Sequence, residues 1–400
     1  MKTKLLILLL VGATAGFIAY FPALNARGNA IDVEPGNGIA AQLTAEAPVI
    51  DVVFVLDTTG SMSGLIQTAK EKIWSIASTM AGADPAPLIR IGLVAYRDRG
   101  DDYVVRRVGL SQDLDQVYAE LMQFSAGGGG DGPESVNAAL HAAVTEMDWT
   151  EGGQAYRAVF LVGDAPPHMD YQDEQQYPEI LAMARQRGIV VNAIQCGNQS
   201  ATIAPWQQIA RLGSGRYFQV EQGGGAVAYA TPFDAEIAEL SASLDRTRVY
   251  YGSAAEREAV RKKIELADAT LSAASPEAKA RRGVFGLSSA GKSSRLGDRE
   301  LVEAVASGEV ELDALEPELL PEELKPMAPE AQRAYVENLA GERAAIENRM
   351  QVLADQRDAY IRERLDEDGG ADDSLDQKLY EAISRQAAVA GLEYEDGPSY

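Results

Sequence analysis

The chain has 400 residues and a mass of 42.8 kDa, room for two or three domains. Hydrophobic residues make up 46% and charged residues 24%, which allows a packed core and excludes wholesale disorder. Against 36 Lys and Arg stand 60 Asp and Glu, a formal net charge of −24, so phosphate is repelled and neither nucleic acid nor an anionic membrane surface suits as partner. One Cys excludes an internal disulfide framework and a Cys-rich zinc site. Two histidines, His141 and His168, leave little for histidine-based clusters.

Lys2 and Lys4 precede an apolar run from Leu5 to Phe21, which Pro22 ends. A basic flank before an apolar core is the pattern of a secretory signal. The run is long for a signal core and short for a membrane span. Residues 1–26 therefore read as a cleaved signal or a retained N-terminal membrane anchor, and Ala26 and Ala30 each offer a small residue before a cut. Either way the bulk is expected to be exported: periplasmic, at the cell surface or secreted. A lone Cys suits an oxidising compartment. Residues 27–47 read as a linker.

From residue 48 to 245 strands and helices alternate. Val49 to Leu56 is an apolar run but for Asp51, as in a strand buried on both faces. Leu65, Ala69, Ile73, Ile76 and Met80 follow at helical spacing. Ile89–Tyr96, Ala158–Val162, Ile189–Ile194 and Arg216–Val220 read as further strands. Asp113–Phe124, Ser135–Met147, Ile180–Gln186 and Trp206–Leu212 read as helices, and Thr231–Leu244 as the helix that closes the domain. This predicts an α/β fold with a doubly wound, mostly parallel sheet, which places ligands beyond the carboxyl ends of its strands.

Polar residues fall at those ends. Asp57-Thr58-Thr59-Gly60-Ser61 follows the first strand and brings a carboxylate and hydroxyls at alternate positions. A loop of four glycines, Gly127 to Gly130, leads into Asp131-Gly132-Pro133-Glu134. A third loop starts at Asp164 and reaches His168. Such oxygens are hard ligands, suited to magnesium, calcium or manganese rather than zinc. The competing reading is ordinary capping, with Asp57 or Ser61 at a helix start and Asp164 opening a turn. Without a cation the crowded carboxylates would repel one another. With one, an open coordination position can take an acidic group from a partner.

In these loops the chain resembles a von Willebrand factor type A domain, over roughly residues 48 to 245. The family's metal-ion-dependent adhesion site is an Asp-x-Ser-x-Ser loop, a ligand from a second loop and an Asp from a third. Asp57, Thr59 and Ser61 match the first, with Thr for the first Ser, and Asp164 the last. The second loop is similar to the integrin β-subunit form, which implies Glu134 as a direct ligand. It also implies a second cation, held by Asp98, Asp131, Pro133 and Glu134. A third site of that form needs an acidic pair where this chain has Ser63-Gly64. His168 reads as an orienting residue, His141 as a helix-face residue and Cys196 as packing.

Gly286-Leu287-Ser288-Ser289-Ala290-Gly291-Lys292-Ser293 fits the phosphate-loop pattern, but no buried strand precedes it, as that loop requires. A basic, Ser-rich flexible loop is the expectation there. Residues 254–400 read as a helical acidic region: a helix over Glu256–Leu271, a proline-rich break, then a long helix over about Glu330–Leu365. On that helix Leu339, Ile346, Met350, Leu353 and Tyr360 form a stripe, interrupted by Glu342 and Arg357, expected to pair in a hairpin with Leu375, Leu379 and Ile383. Asp366-Glu367-Asp368 and Asp372-Asp373 read as a solvated connection. The expected function is that of an exported, non-enzymatic binding or adhesion protein with no catalytic residues, engaging an acidic residue of a protein partner through the cation. A structural envelope protein with a purely structural metal, a metal-dependent hydrolase and a P-loop nucleotidase are the alternatives.

Overall fold

In the computed structural model, the residues described are 47–400 except 131, 153, 224, 226–228, 369–373 and 395–396. The N-terminal signal or anchor and most of the linker lie outside them. No helix of the described residues is long and apolar enough to cross a membrane.

Six strands form one sheet: β1 Val49–Asp57, β2 Leu88–Tyr96, β3 Val105–Ser111, β4 Ala155–Gly163, β5 Ile189–Cys196 and β6 Ser214–Val220. Their order is β3-β2-β1-β4-β5-β6. All neighbours are parallel except β2 and β3. The fold class expected from the sequence is thus the fold observed, with one strand more. β3 is the added one. It is an antiparallel edge whose sequence, Val-Arg-Arg-Val-Gly-Leu-Ser, carries two arginines in place of an apolar run, and charged edges resist stray pairing. Winding reverses between β1 and β4, and a crevice opens beyond the strand ends at such a switch point.

Both faces of the sheet are covered. Val53, Val55, Val159 and Leu161 point into a core with α3 Val136–Thr145, α4 Tyr177–Gln186 and α5 Ser200–Leu212. Val52, Phe54, Leu56 and Phe160 point the other way, toward α1 Ser63–Ala81 and α2 Leu114–Met122. Asp113 caps α2 by accepting from the Gln116 backbone amide at 3.0 Å. His141 on α3 is half-exposed and lies 3.6 Å from Glu146.

The second face is completed from far along the chain. Leu375, Leu379 and Ile383, on α12 Leu375–Ala387, are buried with Phe54, Leu56, Phe160 and Ile194. The expected hairpin with the long helix does not form, because these side chains belong to the sheet's core. Gln386 and the buried Asn192 of β5 exchange two amide hydrogen bonds, at 2.7 and 3.1 Å. Lys72 of α1 and Asp376, both buried, lie 3.2 Å apart.

The helix α6 Asp234–Asp245, expected to close the sheet domain, packs elsewhere. Its Ile237 and Leu244 share a separate core with Ala280 of α8 Pro276–Phe285 and with Met350 and Leu353 of α11 Pro329–Glu367. Arg357 does not interrupt that packing. It is buried and pairs with Asp234 at 3.0 Å. Tyr360 meets Phe233 edge-on at 6.5 Å. Between α6 and α11 run α7 Ala254–Ser272, then α8, α9 Ser289–Leu296 and α10 Leu301–Ala306. Ala47–Tyr400 form one compact unit.

The phosphate-loop-like stretch is not a flexible loop. Ser288 caps α9, accepting from the Gly291 amide at 3.0 Å. A Cβ at Gly291 would lie 1.8 Å from the Phe285 carbonyl oxygen, so the glycine serves close helix packing. Lys292 pairs with Glu347 at 3.1 Å. Lys292→Ala is accordingly expected to cost no more than about 1 kcal/mol and to leave any nucleotide response unchanged in a titration with a fluorescent ATP analogue.

Candidate metal site

The first loop is built on the end of β1. The Thr58 amide and hydroxyl both donate to the Tyr96 carbonyl oxygen, at 2.9 and 2.8 Å, which continues the β1–β2 pairing past the strand. The Thr59 amide and hydroxyl both donate to Asp57 Oδ1, at 2.9 and 2.6 Å. Such a turn on an Asp side chain fixes the carboxylate before the helix begins. Ser61 Oγ lies 3.4 Å from Thr59 Oγ1. Neither the short 3-10 turn Gly60–Met62 nor α1 has a side-chain cap, so the capping alternative for Asp57 and Ser61 is not what these residues do. The second oxygen of Asp57, Oδ2, is buried and has no hydrogen-bond partner.

Backbone hydrogen bonds hold the other loops to the first. Gly127 N donates to Thr58 O at 3.0 Å, and Gly60 N to Gly128 O at 3.2 Å. Arg97 adds bonds to the Thr58 and Ser125 carbonyls, at 3.2 and 2.8 Å. Gly129 adopts φ +77°. A Cβ there would lie 3.2 Å from Glu134 Oε1 and 3.3 Å from Thr59 Cβ, so this glycine lets Glu134 and Thr59 face each other. Glu134 N donates to Pro166 O at 2.9 Å, and His168 N to Glu134 O at 3.1 Å, which joins the second loop to the third.

Asp164 stands one residue beyond β4. Its backbone carbonyl accepts from Thr202 Oγ1 at 2.7 Å, and Trp206 Nε1 donates to the Ala165 carbonyl at 2.9 Å. Its carboxylate accepts from Gln222 Nε2 at 2.6 Å. Thus Asp57, Thr59 and Ser61 meet directly, Glu134 lies beside Thr59, and Asp164 is near enough to Asp57 to act on it by charge. Among the described residues, no group of three or more His, Cys, Asp or Glu side chains is arranged to hold a metal ion. A cation here would draw on the hydroxyls of Thr59 and Ser61 as much as on carboxylates.

The electrostatics favour a positive ion. Burial raises the Asp57 carboxyl from its ordinary 3.8 to about 7; hydrogen bonds from Thr59 pull it down, and the negative charge of Asp164 pushes it up again. Cys196 is buried too, and burial together with Asp164 and Asp57 raises its thiol far above the usual range. That thiol is inert packing.

The surroundings of Asp98 are different. Its carboxylate accepts from Ser135 Oγ at 2.8 Å and from Tyr171 Oη at 3.0 and 3.2 Å, with His168 Nε2 3.3 Å away. His168 stacks on Tyr171 with ring centroids 4.0 Å apart, and the Arg99 guanidinium lies over the Tyr171 ring, 4.0 Å from its centroid. Protein groups therefore serve Asp98, with His168 among them. Asp131 lies outside the described residues, and Pro133 flanks it. Two polar residues escape sequence reasoning. Gln222 comes from the loop after β6, and Asp101, which accepts from the Gly129 amide at 3.0 Å, sits in a run of charges. Neither carries a motif that would single it out.

A doubly wound sheet with an oxygen-lined loop cluster at its switch point defines a class of binding domain. Residues 51–231 match the family model described as von Willebrand factor A domain, and this part of the chain belongs to that family. The mouse von Willebrand factor A domain-containing protein 7 is 34% identical over 109 residues, 27% of this chain and 12% of that protein. A putative ariadne-like RING finger protein of Acanthamoeba polyphaga mimivirus is 30% identical over 121 residues, 30% of this chain and 11% of that protein. The chain thus spans about an eighth or less of the length of these relatives. A solved von Willebrand factor type A structure from Catenulispora acidiphila superposes with a TM-score of 0.34 at 15% identity, over 44% of this chain and 39% of that one.

Proposed function

We propose that the domain binds one divalent cation through Asp57, Thr59 and Ser61, with Glu134 and Asp164 contributing from the adjoining loops, and that the bound cation engages an acidic residue of a protein partner. The observation that carries this reading is the Asp57 carboxylate. It is fully buried, one oxygen is held by Thr59 and the other has no partner. An unpartnered buried carboxylate oxygen is costly, and a cation removes that cost. All the donors are oxygens, which favours magnesium, calcium or manganese. The ion would supply a positive point able to accept a further carboxylate; the chain's own part is to fix Asp57 through Thr59 and to hold the three loops together.

The N-terminal pattern of Lys2, Lys4 and the apolar run supports export of this binding module, with the membrane reached only through a retained N-terminal segment. We assign the site a binding role without turnover. The test is capture of a protein partner from the source cell envelope by the immobilised chain. Capture should depend on magnesium or calcium, be lost with chelator, and be lost in Asp57→Ala. Capture indifferent to chelator would leave the ion a structural role only. Within the site, Glu134→Ala is expected to weaken cation affinity more than Asp98→Ala, because Ser135, Tyr171 and His168 already serve Asp98. Equal calorimetric dissociation constants for the two variants would remove Glu134 from the ligand set.

A further inference from the structure

Tyr96 ends β2 opposite Asp57 in the register of the two strands. Its side chain is fully buried, and its hydroxyl has no hydrogen-bond partner. Gly163 ends β4 on the other side of Asp57. A Cβ at Gly163 would lie 2.5 Å from Tyr96 Oη, 2.9 Å from Asp57 Cβ and 3.0 Å from Asp57 Oδ2. The Tyr96 hydroxyl and the free Asp57 oxygen therefore border the same small space, which exists because residue 163 has no side chain. One group is a donor and the other an acceptor, both are buried, and among the described residues neither has a hydrogen-bond partner, the other one included. Leaving both unmade is unfavourable in a dry interior.

We propose that Tyr96 is a positioning residue for the cation site: when the cation is bound its hydroxyl donates to the Asp57 carboxylate and sets its orientation from beneath, a hydrogen bond that this structure leaves unmade. This rests on the cation reading above. It also assigns a role to Gly163, which must stay bare for the two groups to meet. Groups that orient a ligand in this way typically change metal affinity by about ten- to a hundredfold when removed.

The test is calorimetric titration of the full chain with manganese, alongside melting of the metal-free protein. Tyr96→Phe keeps the ring and removes only the donor. It is expected to weaken manganese binding about tenfold while the metal-free melting temperature stays the same. Gly163→Ala, whose methyl enters the shared space, is expected to weaken binding at least as much. A packing role alone, which the retained ring still fills, would leave both the metal-free melting temperature and the manganese affinity of Tyr96→Phe unchanged, and that result overturns the proposal. Should the unaltered chain bind manganese and Tyr96→Phe bind it equally well, the Tyr96 assignment alone falls. Should the unaltered chain bind no cation, the cation reading falls with it.

Discussion

Magnesium or calcium at a hundredfold excess over its dissociation constant is expected to stabilise the chain by about 2.7 kcal/mol, and Asp57→Ala is expected to abolish that gain. The ion binds the folded site and finds no equivalent in the unfolded chain, since its donors come from three loops that together span more than a hundred residues, from Asp57 to Asp164. The effect should also depend on pH. In the metal-free fold Asp57 keeps its proton up to about pH 7, whereas the unfolded carboxyl loses it near 3.8. A raised carboxyl contributes stability at low pH that is lost as pH rises through the interval between those values. The metal-free protein should therefore lose stability from about pH 4 to 7. The cation-induced rise in melting temperature should be larger at pH 8 than at pH 5.5, where ion and proton compete. Differential scanning fluorimetry with and without chelator reads both effects. An equal rise in the unaltered chain and in Asp57→Ala would place the ion elsewhere.

The second large effect is expected far from the site, at Ile383. This side chain is fully buried against the sheet, together with Phe54, Phe160 and Ile194. Ile383→Ala should cost about 2–5 kcal/mol, the usual range for emptying a well-packed aliphatic position. The loss should appear in unfolding of the sheet itself, because α12 covers one of its faces. Urea unfolding followed by fluorescence of Trp74 and Trp206, which lie in the cores on opposite faces, should show both signals moving to lower denaturant. A sheet whose midpoint does not change in Ile383→Ala would mean that α12 is a dispensable addition. Gln386→Leu is a milder version of the same experiment, since it leaves Asn192 Nδ2 and the Tyr156 hydroxyl without their acceptor while Asn192 Oδ1 keeps the Arg216 amide.

The contrast between the two regions explains what a reader of the sequence can and cannot see. The central strands are legible because parallel strands buried on both faces are nearly continuously apolar, and Val49–Leu56, Ala158–Val162 and Ile189–Ile194 are so but for Asp51 and Asn192. The charged edge strand β3 does not follow that rule and shows no such run. Asp57, Thr59 and Ser61 are legible because local spacing alone brings them together. Gln222 and Tyr96 are not, because their relation to the site depends on register and on the approach of distant loops.

The C-terminal region shows the same limit. Helical periodicity reveals α11 and α12 but not which surface each one faces. Leu375, Leu379 and Ile383 would suit a helical hairpin as well as a sheet. The chain's route settles it, with α6 drawn to α8 and α11 and the vacated face of the sheet taken by α12. The glycines and lysine of the phosphate-loop-like stretch likewise satisfy a pattern while serving a helix cap, a close backbone contact and an ion pair.

The most direct test of the central claim is anomalous diffraction from crystals of the chain grown with manganese. The account predicts a single strong peak in contact with the side-chain oxygens of Asp57, Thr59 and Ser61, lost in crystals of Asp57→Ala grown in the same way. A peak at any other place, or none in well-ordered crystals saturated with manganese, would contradict it.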